Sequence, residues 1–303
     1  MIRDSVAFDD VLLVPQYSEI ISRKTIDIGS SLSDDIKLDL PIISAPMDTV
    51  TELTMARAIS ECGGMGVVHR YNTPFVQSLN VKDVGGPVAA AIGITGDYIQ
   101  RTKTLVDNGC NIICIDVAHG HHALVRHAIK TLRNTFGTII HIMAGNVATL
   151  KAFNDLADWG ADSIRVGIGG GSICSTRIQT GHGLPGLQTI LDCAQTDRDV
   201  AIIADGGLTN SGDMVKAFAA GADAVMCGSL LSGTDESPGK IIEESDGTRW
   251  KTYRGMASKE AQINWRGKYS SFEGVSARVP YRGSVKNILS DLEKGIRSGF
   301  SYS

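Results

Sequence analysis

Eight short apolar runs, each of strand length and each followed by a longer amphipathic stretch, set the first limit on how this chain folds. They are Pro41 to Ser44, Gly66 to His69, Val88 to Ile92, Ile112 to Asp116, Ile139 to Met143, Ser163 to Val166, Val200 to Ala204 and Ala224 to Cys227. Runs that lack polar alternation are typical of parallel strands covered on both faces. The stretches between them, among them Tyr98 to Asn108, Ala123 to Asn134, Leu150 to Trp159 and Ser211 to Ala220, carry a helical period and predict crossover helices. A weak internal echo marks the same unit. Asp107-Asn-Gly-Cys-Asn111, Asp158-Trp-Gly-Ala-Asp162 and Ala219-Ala-Gly-Ala-Asp223 each close a helix with a glycine in the left-handed position before the next strand.

A doubly wound open sheet is the rival arrangement. It needs two edge strands, and no run shows the pattern of charge and proline that protects an edge. By length alone 303 residues suggest two domains, yet α/β barrels of about 250 residues form one, and the unbroken composition favours a single α/β domain, a (β/α)8 TIM barrel. Segments 1–40 and 232–282 do not fit the repeat. The second, rich in glycine, serine and charge, reads as a lid or as disorder.

Charge and composition exclude several classes. With 29 basic and 33 acidic side chains, a net charge of -4 and no clustered basic run, the chain is not a nucleic-acid binder. No apolar stretch approaches the roughly 20 residues of a membrane span, and Met1 followed at once by Arg3, Asp4, Asp9 and Asp10 predicts no signal peptide. The six cysteines lie mostly in apolar runs without CxxC spacing, so reduced thiols and a cytoplasmic location are expected.

A barrel of this type builds its active site at the C-terminal ends of its strands. Those ends carry Met47 and Asp48, His69 and Arg70, Asp116 and His119, Asn146, Gly167 to Cys174, Asp205 to Gly207, and Gly228 with Ser229. The most informative stretch is Arg165-Val-Gly-Ile-Gly-Gly-Gly-Ser-Ile-Cys-Ser-Thr-Arg177. Its glycines let backbone amides close on an anion, and a thiol beside Thr176 and Arg177 at a barrel mouth is a candidate nucleophile. The alternative is a plain loop with Cys174 as a small buried hydrophobe. Ala204-Asp-Gly-Gly207 and Cys227-Gly-Ser-Leu230 have the makings of phosphate and ribose sites, with Asp205 accepting from ribose hydroxyls and Ser211 and Asp213 left to cap the next helix. In Asp116-Val-Ala-His-Gly-His-His122 the histidines are too close for a helical metal pair, and Gly167-x-Gly169 is only half a dinucleotide fingerprint.

Over nearly its whole length the chain resembles the inosine monophosphate dehydrogenase and guanosine monophosphate reductase family. The residues that carry the resemblance are Phe8-Asp-Asp-Val-Leu-Leu-Val-Pro15, Ser44-Ala-Pro-Met-Asp-Thr-Val50, Asp116-Val-Ala-His-Gly120, Met143-Ala-Gly-Asn-Val147, the Gly171-Ser-Ile-Cys174 loop, Ala204-Asp-Gly-Gly207, Glu236-Ser-Pro-Gly239 and Tyr253-Arg-Gly-Met256. The resemblance implies a homotetrameric barrel that binds a purine nucleoside monophosphate, with Cys174 adding to C2 of the purine and a nicotinamide cofactor exchanging a hydride with the same carbon. It implies that Ser172, Gly207, Gly228, Ser229 and Tyr253 hold the phosphate and Asp205 the ribose, that Gly255 and Met256 meet the base with Glu273 beside them, and that Met47 and Gly206 also bind the substrate. Asp116, Ala118, His119, Asn146, Arg165 and Gly167 then face the cofactor. Carbonyls of Gly169, Gly171 and Cys174 are the family's position for a monovalent cation such as K+, completed by a C-terminal extension from a neighbouring subunit. If Ser303 is a natural end, activation by that route is absent.

Direction is read from smaller features. The resemblance implies an Arg-Tyr pair on a flap of about residues 256–275 for the dehydrogenase, where this chain has Lys268-Tyr269, and a Thr-Glu pair for the reductase, which Thr176 and Glu273 supply. The flap is short, and no CBS regulatory insert fits between His69-Arg70 and the third run. Ser22-Arg23, His69-Arg70 and Thr176-Arg-Ile-Gln-Thr180 also lean to the reductase, whereas Ala204-Asp-Gly-Gly207, Thr234-x-Glu-Ser-Pro238 and Tyr253-Arg-Gly-Met256 lean to the dehydrogenase. Arg70 stands where many relatives have Lys. The reading favours an NADPH-dependent GMP reductase. An NAD-dependent IMP dehydrogenase is the alternative, and a catalytically silent nucleotide-binding scaffold the alternative of another class.

Overall fold

The eight apolar runs pair side by side into one closed ring. In the computed structural model, which describes residues 4–269 and 272–302, an antiparallel hairpin of β1 (Ser30–Ser33) and β2 (Ile36–Leu38) comes first. The ring strands follow as β3 (Ile42–Ser44), β4 (Met65–Val68), β5 (Val88–Ile92), β6 (Ile112–Asp116), β7 (His141–Val147), β8 (Ser163–Val166), β9 (Ala201–Asp205) and β10 (Ala224–Cys227). All neighbours are parallel, and β10 closes on β3 with Val225 opposite Ile42. The fold is a (β/α)8 TIM barrel, so no ring strand is an edge. The helices are α1 (Leu53–Glu61), α2 (Pro74–Lys82), α3 (Tyr98–Asp107), α4 (Ala123–Phe136), α5 (Leu150–Trp159), α6 (Thr176–Thr180), α7 (Gly186–Cys193), α8 (Ser211–Ala219), α9 (Lys259–Arg266) and α10 (Val285–Phe300). The last of these packs against α8 and α1 and completes the outer layer.

Alternation along each strand makes two cores from one ring. Ile43, Val67, Ala89, Ala91, Cys114 and Met143 point inward, while Ile42, Val68, Ala90, Ile113, Ile115 and Ile142 pack under the helices. Leu32, Ile36 and Leu38 of the hairpin join the inner cluster and plug one end of the barrel, which accounts for part of segment 1–40. Each fully buried Val, Leu or Ile contributes about 1.5–3 kcal/mol. The three echo glycines, Gly109, Gly160 and Gly221, have φ of 87°, 113° and 106°, the left-handed stop expected of them.

Three expectations need correction. Segment 232–282 is neither lid alone nor disorder: β11 (Ile242–Glu243), β12 (Arg249–Arg254) and β13 (Ser276–Pro280) form an antiparallel sheet. Its period of two is hidden in the sequence because the inward face of β12 is Lys251 and Tyr253, one of them charged. Second, β7 begins at His141, because Ile139 belongs to the turn after α4 and is exposed, and it runs on to Val147, so Asn146 lies within the strand end. Third, α8 is capped by Asn210, whose side chain accepts from the Asp213 N–H; Ser211 is already inside the helix. The flap residues Ser270 and Ser271, and Ser303 at the chain end, lie outside the described residues. Among the described residues no helix is long and apolar enough to cross a membrane.

Candidate active site

The C-terminal ends of the ring strands and the segments above them enclose a cleft of about 470 Å³. Its cysteine wall follows from the close approach of β8 and β9. A Cβ at Gly167, where φ is 135°, would sit 2.1 Å from the Asp205 carbonyl oxygen, so only glycine lets the chain turn there. The loop then runs through Gly169 and Gly171, and the Cys174 N–H donates to the Gly171 carbonyl at 3.1 Å. A second segment pins it from above: Ser175 N–H donates to the Glu273 carbonyl at 2.9 Å and Val275 N–H to the Ile173 carbonyl at 3.0 Å. That pairing brings Glu273 across 97 positions of sequence to Thr176, whose hydroxyl donates to Glu273 Oε2 at 2.7 Å. The Cys174 thiol donates to Thr176 Oγ1 at 3.2 Å. Thiol, hydroxyl and carboxylate thus form a continuous path for a proton.

Next to the cysteine loop, Gly206 and Gly207, with φ of 90° and 81°, turn the chain after β9 beside Gly170 and Gly171. Ser172, Gly228, Ser229 and Tyr253 face the same space. The Tyr253 phenol is buried, and burial pushes its pKa up to about 12, a hydrogen bond with Ser172 pulling the other way. At neutral pH it is therefore a hydrogen-bond donor. Its oxygen lies 3.9 Å from Met47 Sδ, and a Cβ at Gly228 would come within 2.7 Å of it. Gly228→Ala is expected to push the phenol out of place and raise the Kd of a purine monophosphate by about tenfold, the equivalent of one lost buried hydrogen bond. Isothermal calorimetry checks this.

The third wall is an ionic network. Arg165, buried on β8, donates to Asp116 Oδ1 at 2.9 Å and to Asp205 Oδ2 at 2.8 Å, and Asn146 Nδ2 reaches the same Asp205 oxygen at 2.8 Å. Burial opposes the guanidinium charge, but the Cys114 sulfur and the Asp205 and Asp116 carboxylates outweigh it and hold the pKa above the ordinary arginine value. Asp116 also faces Arg70 at 3.8 Å. Ala118 and Gly167 complete this side, and Gly255, Met256 and Glu273 roof it.

Three of the strand-end residues, His119, Asp48 and His69, are not brought into the cleft. His119 is exposed and packs edge-on to His121 at 6.5 Å, because the chain turns away at Gly120, whose N–H donates to the Asn146 carbonyl at 2.7 Å. Asp48 is likewise absorbed elsewhere, in a pair with Arg254 at 2.5 Å, and His69 is buried against Glu52 at 3.1 Å. Lys268 and Tyr269 do not line the cleft; Tyr269 is exposed under the Lys259 ammonium at 4.7 Å. Sequence reasoning missed Tyr71, Gln262 and Arg266, which do line it. Gln262 and Arg266 are four apart on α9, a same-face spacing that would have found them. Arg70 and Arg266 put positive charge at the mouth, the polarity suited to a pyrophosphate-bearing nicotinamide cofactor. For the monovalent-cation position, the Gly171 carbonyl already accepts the Cys174 N–H, and no step below depends on an ion there.

A family model described as "IMP dehydrogenase / GMP reductase domain" matches residues 5–303. The inosine-5'-monophosphate dehydrogenase of Nitrosopumilus maritimus is 32% identical, with 99% of this chain and 92% of that protein covered. The enzyme of the same name from Borreliella burgdorferi is 34% identical, with 99% and 90% covered. Among solved structures, a cysteine-to-alanine variant of GMP reductase from Trypanosoma brucei in complex with guanosine 5'-monophosphate superposes with a TM-score of 0.95 and 28% identity, covering 100% of this chain and 92% of that one. The barrel, its cysteine loop and these likenesses agree: the chain belongs to the IMP dehydrogenase / GMP reductase family, whose members are purine nucleotide oxidoreductases that use a nicotinamide cofactor.

Proposed function

We propose that this protein is a GMP reductase, converting GMP to IMP and ammonia with NADPH. The observation that carries the reading is the path from Cys174 Sγ through Thr176 Oγ1 to Glu273 Oε2. The thiol gives up its proton along this path and Sγ adds to C2 of the purine, which lies between two ring nitrogens and is electrophilic once they are hydrogen-bonded. Thr176, backed by Glu273, then protonates the exocyclic amine, the C2–N bond breaks, and ammonia leaves. A reduced nicotinamide held on the Asp116, Asn146 and Arg165 side would supply the hydride for C2. The C–S bond then breaks to release IMP, and the electron pair returns to Sγ. Ser172, Gly206, Gly207, Gly228, Ser229 and Tyr253 hold the phosphate in this reading, Asp205 the ribose, and Met47, Gly255 and Met256 the base. Asp116, Asn146 and Arg165 orient the cofactor, and residues 256–275 act as the flap. The chain assembles as a homotetramer in this reading, and exposed Leu12, Val14, Tyr17 and Ile21 support self-association.

A second reading has its own observation. Arg266 lines the cleft from α9, on the same flap where the dehydrogenase reading expects an arginine, and this favours oxidation of IMP to XMP with NAD. The Nitrosopumilus alignment runs over 443 positions against 303 residues here, so that dehydrogenase carries inserted residues that this chain lacks. One assay crossing GMP and IMP with both reduced and both oxidised nicotinamide cofactors tests the proposal. The expected result is loss of reduced-cofactor absorbance with GMP and NADPH; appearance of that absorbance with IMP and NAD, and none lost with GMP, overturns it. Glu273→Gln is expected to lower kcat by about 10²-fold or more with little change in the KM for GMP, measured in the same assay.

A further inference from the structure

Lys251 is 2% exposed and is not part of the chemistry above. It lies on β12 two residues before Tyr253, so the two side chains share the inward face of the strand. Its ammonium donates to the Thr234 carbonyl at 2.8 Å and to the Ser237 carbonyl at 2.6 Å. Those carbonyls belong to the turn after β10. Within that turn Ser237 Oγ donates to the Ser232 carbonyl at 2.8 Å, Ser232 Oγ donates to the Ser229 carbonyl at 3.0 Å, and Leu231 N–H donates to the Gly228 carbonyl at 3.1 Å. Ser232, Thr234 and Ser237 are all buried, so the web has no access to water as a substitute partner. It runs from Lys251 to the two residues, Gly228 and Ser229, that face the Tyr253 end of the cleft.

A buried ammonium is expensive unless it is paired or fully hydrogen-bonded, and a packed methionine would fill the same space without that cost. Asp235 and Glu236 lie close enough to favour its charge, although burial pulls its pKa down. What the charge does here is hold two loops in one geometry: the strand that carries Tyr253 and the turn that carries Gly228 and Ser229. We propose that Lys251 is a positioning residue for the phosphate end of the nucleotide site, fixing the distance between the Tyr253 phenol and the Gly228-Ser229 backbone through the Ser232-Ser237 web. This rests on the reading that a purine monophosphate binds with its phosphate between Ser172, Gly228 and Tyr253.

The test compares the full chain with Lys251→Met, Ser232→Ala and the double variant, measuring Kd by calorimetry for GMP and for guanosine without cofactor. Lys251→Met is expected to weaken GMP binding about tenfold, the loss of one or two buried hydrogen bonds, and to leave guanosine binding unchanged. Ser232→Ala is expected to weaken GMP binding in the same direction, and the double variant to lose less than the product of the two single effects, because both break one web. Equal losses for GMP and guanosine, or unchanged GMP binding in both single variants, overturn the proposal. If Lys251→Met fails to fold, Ser232→Ala alone decides by the same comparison. Wild-type protein that binds GMP no better than guanosine would refute the phosphate reading itself, and that result is visible before any variant is made.

Discussion

Replacing Cys174 by alanine is expected to lower turnover by roughly 10⁴-fold or more, as loss of a covalent nucleophile does, while purine monophosphate binding stays at the wild-type level. The expectation is specific to this one thiol. Cys110, Cys114, Cys193 and Cys227 are buried, and burial pushes their thiols up to about 12, so they stay protonated and shielded at neutral pH. Cys174 instead lines the cleft, with Thr176 to take its proton and Glu273 behind that hydroxyl. Steady-state rates with GMP and NADPH, set beside calorimetric binding of GMP, measure both halves of the expectation. A variant that keeps its rate removes covalent catalysis from the account. One that loses binding along with rate makes the cysteine a structural residue.

Removing Arg165 is expected to have the largest effect on stability. Its guanidinium is the shared partner of Asp116 and Asp205, and taking away one side of a buried ionic cluster costs about 3–5 kcal/mol because the remaining charges are left uncompensated. Arg165→Met should therefore show a lower midpoint in urea at an unchanged slope. Adding Asp116→Asn and Asp205→Asn should restore part of the loss, since it is the orphaned carboxylates that are costly. A single variant as stable as wild type would mean that water already screens the cluster. The network also ties together the ribose carboxylate and the cofactor wall of the proposal, so the variant should lose nucleotide affinity even where it remains folded.

The barrel is legible in the sequence because its strands are covered on both faces and its echo glycines stop helices in a conformation other residues avoid. Strand ends then name most of the cleft: Met47, Asp116, Asn146, Cys174, Asp205 and Gly228 all line it. What could not be read came from three physical causes. The sheet of β11, β12 and β13 carries a buried lysine where the pattern calls for an apolar residue, and its solvation is supplied by the carbonyls of Thr234 and Ser237, which no local pattern announces. Arg266 and Gln262 reach the cleft from a helix outside the repeat, so a rule about strand ends passes over them. His119 follows the rule and fails it, because one backbone hydrogen bond at Gly120 turns the chain before its side chain can face inward. Glu273 was reachable only through the family resemblance, since the backbone pairing of Ser175 with Glu273 and of Val275 with Ile173 that delivers it joins segments about a hundred residues apart.

The most direct measurement quenches the enzyme in acid during turnover of GMP with NADPH and weighs the intact chain. The expected result is a species heavier than the free protein by the purine nucleotide less ammonia, mapping to the peptide that contains Cys174 and absent from Cys174→Ala. A quench that yields only unmodified protein while product accumulates at full rate, or an adduct on any other cysteine, would contradict it.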